Sequence, residues 1–495
     1  MRNIRDALIG YADWQGYHHA ERADAWLARL EMTRPEIEHF RAQPTPDCPP
    51  YLPIPTIADP ADGVDSEWPG RPSGSGRESA IAALARARQH ASLSAFTWLP
   101  DAVPETRSGW LAGLPIAVKD LMHVGGFPLT GGSAAFDRTT STHDAEVIAR
   151  LRRAGAAFMG FANLHEFAYG ITSDNPRFGR VVNPAAPERI PGGSSGGSAA
   201  AIAAGIVTAA LGTDTAGSIR IPAACCGIVG FKPGYDALPR TGVLDLATSL
   251  DHVGPMGRSV ADCAALFAAM LGLPELPEWT YANLAGRNLC RLRGFFDEPL
   301  DPEVRASLDE AIAAAAADGA ACIEGEIAGT QHAPAIQLMT LAPEAGAVHA
   351  ERVRDRGHLL GEDVRVRIEA GQFIPGYWYT KAQRMRRRFA DAVDAAFGDS
   401  DALVCPTLRV PAPAVGASRV RIGDRDYALH TAVTQLTMPF NLSGLPAISI
   451  PWSTSVEGVP ICLQVVGRRG ADWRTLAIAR RLEAVSPWSR LRPDR

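Results

Sequence analysis

Lysine is almost absent from this chain. Of its 49 basic residues only Lys119, Lys232 and Lys381 are lysines, so arginine supplies the positive charge nearly everywhere. An arginine keeps its proton at any accessible pH, whereas a buried lysine can lose its proton and act as a base. Each lysine therefore marks a position where arginine could fail chemically, although chance retention remains a reasonable alternative for Lys232 and Lys381.

Other absences exclude several classes of protein. The eight cysteines include no Cys-x-x-Cys pair, so the sequence predicts neither a disulfide framework nor a zinc site. The net charge of -5 gives no electrostatic reason to expect nucleic acid or an anionic membrane as a partner. The longest apolar run, 199–211, is too short for a membrane span and predicts a buried helix that continues into a strand. The first 14 residues carry acids where a signal peptide is apolar, so we expect a cytoplasmic protein.

Proline and glycine divide the chain into two parts. Residues 3–42 predict helices, followed by a proline-dense passage at 44–60 and a linker-like stretch at 69–76. We therefore predict that residues 1–77 form a helical, Pro/Gly-rich appendage that packs on the main body or cross-links it. Strand-like and helix-like segments alternate without a linker over residues 78–495, which predicts a single large α/β domain.

Within this domain the sequence predicts the main elements. We expect helices at about 79–92, 259–271 and 302–318, and arginine-rich helices between about 340 and 398. Buried strands are expected at 114–119, 156–160, 207–211, 228–232, 289–295, 402–405, 447–450 and 461–466.

The first of two neighbouring Gly/Ser loops is Pro191-Gly-Gly-Ser-Ser-Gly-Gly-Ser198. It is not a phosphate-binding loop, because no Gly-Lys-Ser/Thr follows the glycines. Its Gly-x-Ser-x-Gly pattern centres on Ser195, but a nucleophile elbow needs a strand directly before it, and the approach here is a loop. An esterase with a Ser-His-Asp triad that uses Ser195 stays open as an alternative. A flexible linker is the simplest alternative, but the apolar segments on both sides of the loop argue against it.

The second loop, Gly212-Thr-Asp-Thr-Ala-Gly-Ser218, follows a predicted strand. This order places several backbone N–H groups around Ser218, where they could hold a developing oxyanion. Ser218 is thus a candidate nucleophile, although a serine at such a turn is as often a helix cap. A nucleophilic serine needs a base, and no histidine lies in either loop. Lys119 ends an apolar strand, where desolvation lowers the pKa of an amine; a lysine that reaches out from a strand end is the alternative.

The two loops together resemble the amidase signature family, whose members hydrolyse or transfer carboxamides with a Ser-Ser-Lys triad. The similarity extends over roughly residues 78 to 485, and it includes the segments Pro115-Ile-Ala-Val-Lys-Asp120, Gly227-Ile-Val-Gly-Phe-Lys-Pro233, Ser249-Leu-Asp-His-Val-Gly-Pro255 and Pro439-Phe-Asn-Leu-Ser-Gly-Leu-Pro-Ala-Ile-Ser449. The resemblance implies a mixed central β-sheet flanked by helices.

The resemblance also implies roles for individual residues. Ser218 would be the nucleophile, Ser194 the bridging serine with a cis peptide bond, and Lys119 the terminal base. The backbone amides of Thr215, Ala216, Gly217 and Ser218 would form the oxyanion hole. Ser195, Asp214 and Arg220 would support the loops.

Substrate identity is less well defined by the sequence. The resemblance places Phe167-Ala-Tyr-Gly-Ile-Thr172 beside the acyl pocket, so Tyr169 and Thr172 are candidate pocket residues, with simple packing an equal alternative. Ala216 stands where the family commonly has glycine. The glutamine-hydrolysing subunit of the tRNA amidotransferase has an Asp where this chain aligns Thr434, which argues against glutamine.

We therefore predict an amidohydrolase that acts on a small-molecule amide without cofactor or metal. A non-catalytic or ammonia-supplying subunit of an amidotransferase-type complex is the alternative from a different class, and a homodimer is left open.

Overall fold

The computed structural model describes residues 2–14, 20–51 and 76–488. The greater part of the proline-dense passage and of the predicted linker lies outside these ranges. The helices are α1 Arg2–Trp14, α2 Ala23–Met32, α3 Arg34–Ala42, α4 Gly76–Gln89, α5 Glu146–Arg153, α6 Gly196–Ala203, α7 Arg220–Cys226, α8 Val260–Leu271, α9 Pro302–Ala317, α10 Ala333–Val348, α11 Ala350–Arg356, α12 Glu362–Gly371, α13 Gly376–Ala396, α14 Leu429–Thr434, α15 Pro439–Leu442 and α16 Asp472–Val485.

The strands are mostly short; 11 of them form the main sheet, and β3–β4, β6–β7 and β14–β15 form separate two-stranded sheets. They are β1 Phe96–Trp98, β2 Pro115–Lys119, β3 Pro128–Leu129, β4 Thr139–Thr140, β5 Ala157–Ala162, β6 Asp174–Asn175, β7 Gly179–Arg180, β8 Ala209–Asp214, β9 Val229–Lys232, β10 His252–Gly257, β11 Asn288–Leu292, β12 Ala321–Gly325, β13 Ala402–Pro406, β14 Arg419–Ile422, β15 Arg425–Ala428, β16 Ala447–Thr454 and β17 Pro460–Gly467.

One central sheet organises the fold. It has 11 strands in the order β1-β5-β2-β8-β10-β9-β16-β17-β13-β11-β12. The pairs β2–β5, β2–β8, β11–β12 and β11–β13 are parallel, and the remaining pairs are antiparallel. The predicted α/β fold with a mixed central sheet is therefore confirmed.

Helices cover both faces of this sheet. One apolar cluster packs α5, α8, α9 and α16 against it, and a second cluster packs α4 and the alanine-rich α6 on the other side. Helix α6 and strand β8 confirm the expected helix that continues into a strand. Within the described ranges, no helix has the length and apolar character that a bilayer span requires.

Two parallel neighbours bring distant segments to the same edge of the sheet. Every residue of β2 and β8 is buried, as is typical of parallel strands covered on both faces. Val118 of β2 pairs with Leu211 of β8. Because the carboxyl ends of parallel neighbours meet at one edge, Lys119 at the end of β2 lies beside the loop that follows Asp214 at the end of β8.

The described N-terminal helices pack on the main body. Trp26 of α2 is fully buried, and its indole Nε1–H donates to Glu369 of α12 at 2.7 Å. Arg22 pairs with the same carboxylate at 2.8 Å. At the end of α3, Lys381 donates its Nζ to the carbonyl oxygens of Phe40 (2.8 Å) and Gln43 (2.5 Å). One of the three lysines thus fastens this segment to α13.

We predict that Trp26→Ala loosens this attachment. Removing a buried aromatic side chain should lower the free energy of unfolding by about 3–5 kcal/mol, because the cavity is not refilled. Urea denaturation measures the effect. Ile81→Ala, at a position that is 52% exposed, is the control and should change stability by less than about 0.5 kcal/mol. Equal effects of the two changes would contradict the assignment.

Candidate active site

Lys119 lies buried between two hydroxyl groups. Its Nζ is 2.7 Å from Ser194 Oγ and 2.7 Å from Thr213 Oγ1. Burial lowers the pKa of Lys119 to about 7, although Asp214 and Asp251 act in the opposite direction. At neutral pH a large share of this amine is therefore unprotonated and can accept a proton.

The first Gly/Ser loop holds Ser194 against this amine. The Gly193–Ser194 peptide bond is cis, as the family resemblance implied. The carbonyl oxygen of Ser194 accepts a hydrogen bond from the backbone N–H of His165 at 3.1 Å. Glycine is required at 193 because a Cβ there would lie 2.8 Å from the backbone carbon of Ile171.

The second Gly/Ser loop carries Ser218 between β8 and α7. The carbonyl oxygen of Ser218 accepts a hydrogen bond from the backbone N–H of Ser195 at 3.3 Å, which joins the two loops. Within the part of the chain that the structure describes, the Ser218 hydroxyl has no hydrogen-bond partner, so it is free to face a ligand. Gly217 has a φ of +128°, and a Cβ there would collide with the Thr437 hydroxyl, so only glycine fits this turn.

Side chains from other elements fix the peptide groups of this loop. Gln337 of α10 donates to the carbonyl oxygen of Thr215 at 3.1 Å, and Thr437 donates to that of Ala216 at 2.6 Å. In a trans peptide the N–H points opposite to the C=O, so these bonds also aim the following amides. The N–H of Gly217 donates to Asp214 at 2.7 Å.

A buried ion pair braces the loop from behind. Asp214 and Arg220 are both fully buried, and their closest charged atoms are 2.9 Å apart. Burial raises the pKa of Asp214, but the Arg220 guanidinium outweighs it and holds this pKa well below its usual value. Arg220 also donates to Gln464 Oε1 at 2.6 Å and to Asn441 Oδ1 at 2.7 Å. The charges are therefore paired and hydrogen-bonded, as a buried pair requires.

A cavity of about 140 Å³ opens in front of Ser218. Its wall combines the second Gly/Ser loop with the N-terminal helices, the segment 168–171, helix α10 and the segment 428–438. Its members include Arg29, Met32, Glu36, Tyr169, Ile171, Thr215, Ala216, Ser218, Gln337, Leu338, Leu341 and Thr434. The helices α2 and α3 thus form part of the wall. Among residues 2–14, 20–51 and 76–488, no group of three or more His, Cys, Asp or Glu side chains could hold a metal ion.

Comparison with known proteins identifies the family of this chain. The chain matches the family described as Amidase over residues 78–476. This chain is a member of the amidase family. It is 37% identical over 430 residues to a subunit of the glutamyl-tRNA(Gln) amidotransferase of Symbiobacterium thermophilum, covering 79% of this chain and 86% of the relative.

Two further amidase-family relatives are similar over most of the chain. A subunit of the 1-carboxybiuret hydrolase of a Pseudomonas species is 36% identical over 379 residues, which cover 73% of this chain and 81% of the relative. A solved crystal structure of an amidase is 33% identical with a TM-score of 0.77, and the match covers 83% of this chain and 95% of that one.

The structure brings the predicted residues Lys119, Ser194 and Ser218 together at one edge of the sheet. Two other predicted residues have different surroundings. The Gly217 amide donates to Asp214 and is left out of the oxyanion hole that we propose. Thr172 is not among the residues that line the cavity, and its hydroxyl lies 3.4 Å from His165 Nδ1.

Ser195 has a supporting position. Its hydroxyl is fully buried and donates to the carbonyl oxygen of Thr213 at 3.3 Å, so it steadies the residue that also contacts Lys119. Among the described residues, no histidine is hydrogen-bonded to Ser195, whereas His165 pairs with Asp363 at 3.0 Å. The Ser195 esterase alternative therefore has no geometric basis here.

Sequence reasoning missed several cavity residues. Gln337 comes from α10, more than a hundred residues after the loop that it positions, and its Oε1 has no hydrogen-bond partner in the described part of the chain. Arg29 and Glu36 come from the N-terminal segment. A contact between residues far apart in the chain leaves no local pattern in the sequence. The only sequence signal for Arg29 and Glu36 was the N-terminal appendage in which they lie.

We predict that Asp214→Asn severely destabilises the protein. The substitution leaves the buried Arg220 guanidinium without a counter-charge, which should cost about 3–5 kcal/mol in the free energy of unfolding. Asp391→Asn is the matched control, because Asp391 forms an exposed pair with Arg387 at 3.1 Å and should matter by less than about 1 kcal/mol. Chemical denaturation of both variants checks this, and equal stability of the two would contradict it.

Proposed function

We propose that this amidase-family chain hydrolyses the C–N bond of a small carboxamide through an acyl-enzyme on Ser218. The observation that carries the proposal is the buried Lys119 amine, which lies 2.7 Å from the hydroxyl of Ser194 and has its pKa lowered to about 7. A protonated surface lysine could not serve as a base at neutral pH. The neutral amine here can.

The first half-reaction forms the acyl-enzyme. A neutral Lys119 amine donates a hydrogen bond to Thr213 and accepts the proton of Ser194, which in turn takes the proton of Ser218. The Ser218 oxygen then forms a bond to the carbonyl carbon of the amide. The backbone amides of Thr215, Ala216 and Ser218 stabilise the resulting oxyanion, and each such donor typically lowers the barrier by about 2.7–4 kcal/mol.

Collapse of this intermediate completes the first half-reaction. The Lys119 ammonium returns its proton through Ser194 to the nitrogen of the substrate, so the C–N bond breaks, the amine leaves and the acyl-enzyme remains. In the second half-reaction a water molecule loses a proton to the same relay and attacks the ester carbon. The carboxylic acid departs, and Ser218 recovers its hydroxyl proton.

The relatives favour a second candidate, a subunit that acts within a complex. The amidotransferase and carboxybiuret hydrolase relatives are both named as subunits. Thr434 lies in the cavity, and its hydroxyl donates to the carbonyl oxygen of His430 at 2.8 Å, so this position offers no carboxylate for the ammonium group of glutamine. If the chain is a stand-alone hydrolase, the purified chain should hydrolyse amides by itself. Absence of hydrolysis with every amide until a partner is added would favour the subunit.

We predict that Ser218→Ala lowers kcat by about 10⁴-fold or more, because it removes the attacking atom. Lys119→Ala should lower kcat by about 10² to 10⁴-fold, and Lys119→Arg should not restore it, since arginine keeps its proton. Ser198→Ala is the matched serine control and should retain activity. Ammonia or amine release from a panel of amides measures the rates. A Lys119→Ala enzyme that works at the wild-type rate would refute the relay.

The pH dependence gives an independent check. Since the base is neutral Lys119, kcat/KM should rise with pH, reach half its maximum near pH 7 and then level off. An unshifted lysine would give a midpoint of about 10.4. Asp251 raises the pKa of Lys119, so Asp251→Asn should move the midpoint to lower pH. A profile that is flat between the acid and alkaline limits, or a midpoint that Asp251→Asn leaves in place, would contradict this role of Lys119.

A further inference from the structure

The N-terminal helices place a charged group in the active-site cavity. Arg29 of α2 and Glu36 of α3 line the same cavity as Ser218. Both residues precede the range 78–476 that matches the amidase family. The charge at this end of the cavity therefore comes from residues outside the range that the family model matches, and it has to be explained by this chain's own residues.

The Arg29 guanidinium is partly buried and has no counter-ion in the described part of the chain. There, no carboxylate oxygen lies within 4.0 Å of it, and its side chain makes no hydrogen bond. Nearby arginines behave differently, because Arg22 pairs with Glu369 at 2.8 Å and Arg365 pairs with the same residue at 2.8 Å. An arginine without a partner in a partly dry cavity loses hydration without compensation, so the site favours an anion.

The charged and apolar groups around Arg29 determine which kind of ligand could bind there. Burial lowers the pKa of Arg29, and the Arg367 guanidinium lowers it further, whereas Asp363, which pairs with Arg367 at 3.4 Å, acts in the opposite direction. Glu36 also raises this pKa but forms no ion pair with Arg29, and its Oε2 has no hydrogen-bond partner among the described residues. Burial raises the pKa of Glu36. The rest of this end is apolar, with Met32, Leu338 and Leu341.

We propose that Arg29 binds a carboxylate carried by the amide substrate, so that this chain selects amides of dicarboxylic acids over neutral amides. The proposal rests on the proposed function for the reacting end of the substrate. The planar guanidinium presents two parallel N–H donors, which match the two oxygens of a carboxylate. Hydrogen bonds to charged groups of this kind are the strong ones in proteins.

Binding to an inert enzyme tests the proposal without turnover. Ser218→Ala protein is titrated by calorimetry with succinamate, glutaramate and adipamate, and with the neutral amides butanamide, pentanamide and hexanamide. We expect at least one carboxylate amide to bind about 10- to 100-fold more tightly than the neutral amide of similar length. In the Ser218→Ala background, Arg29→Gln should abolish this preference. Arg29→Lys should restore part of it, because lysine keeps the positive charge but lacks the two parallel N–H donors of the guanidinium.

Two controls separate recognition from folding. Arg34→Gln removes an arginine from the same segment that is 57% exposed, and it should leave the preference intact. Thermal melting should show that Arg29→Gln keeps its folded state, since the Arg29 side chain makes no hydrogen bond or ion pair among the described residues. Equal binding of carboxylate and neutral amides by the Ser218→Ala protein, or a preference that survives Arg29→Gln, overturns the proposal.

Turnover by the otherwise unaltered enzyme distinguishes the two proposals. A preference in binding that depends on Arg29, without hydrolysis of any of these amides, supports the carboxylate site and counts against stand-alone hydrolysis. Hydrolysis with equal kcat/KM for both classes supports the amidase reaction and counts against the site.

Discussion

The active site depends on an amine that is buried without a carboxylate in contact. Lys119 touches two hydroxyl groups, whereas the acids that influence it, Asp214 and Asp251, are bound to other partners. Desolvation therefore wins over attraction, and the pKa of the amine falls to about 7. A carboxylate moved into direct contact would hold the proton on the amine and remove the base that we propose.

A buried charge pair holds the surrounding loops in place. Asp214 uses its carboxylate to bind Arg220 and the amide of Gly217 at once, so a single side chain sets both the turn and the start of α7. Arg220 then reaches Gln464 of β17 across the sheet. The loop that carries Ser218 is thereby fastened to a strand far from it in sequence, and the backbone amides that we propose for the oxyanion hole keep their direction without a ligand.

The sequence was sufficient for the parts of the fold with a strong local pattern. Buried strands such as β2 and β8 are continuous apolar runs, and the Gly/Ser loops have a distinctive composition. The strands β10 and β12 were missed, since His252–Gly257 contains glycine and proline, and Ala321–Gly325 is an edge strand with exposed residues. The commitment of the Gly217 amide to Asp214 could not be predicted either, because a backbone direction is set by three-dimensional contacts.

The residues that line the cavity were even harder to predict from the sequence. Lys119 was singled out by scarcity, whereas Arg29 is one of many arginines and nothing local distinguishes it. Its position became visible only when α2 and α3 were placed against α10 and α12.

This shared wall has a thermodynamic consequence. A ligand that contacts both the N-terminal helices and the catalytic loops binds only the form in which the two are docked. Ligand binding therefore stabilises the docked form, by about 2.7 kcal/mol at a ligand concentration of 100 times Kd. Substrate and the N-terminal segment therefore hold each other in place, and the segment is most firmly attached while the site is occupied.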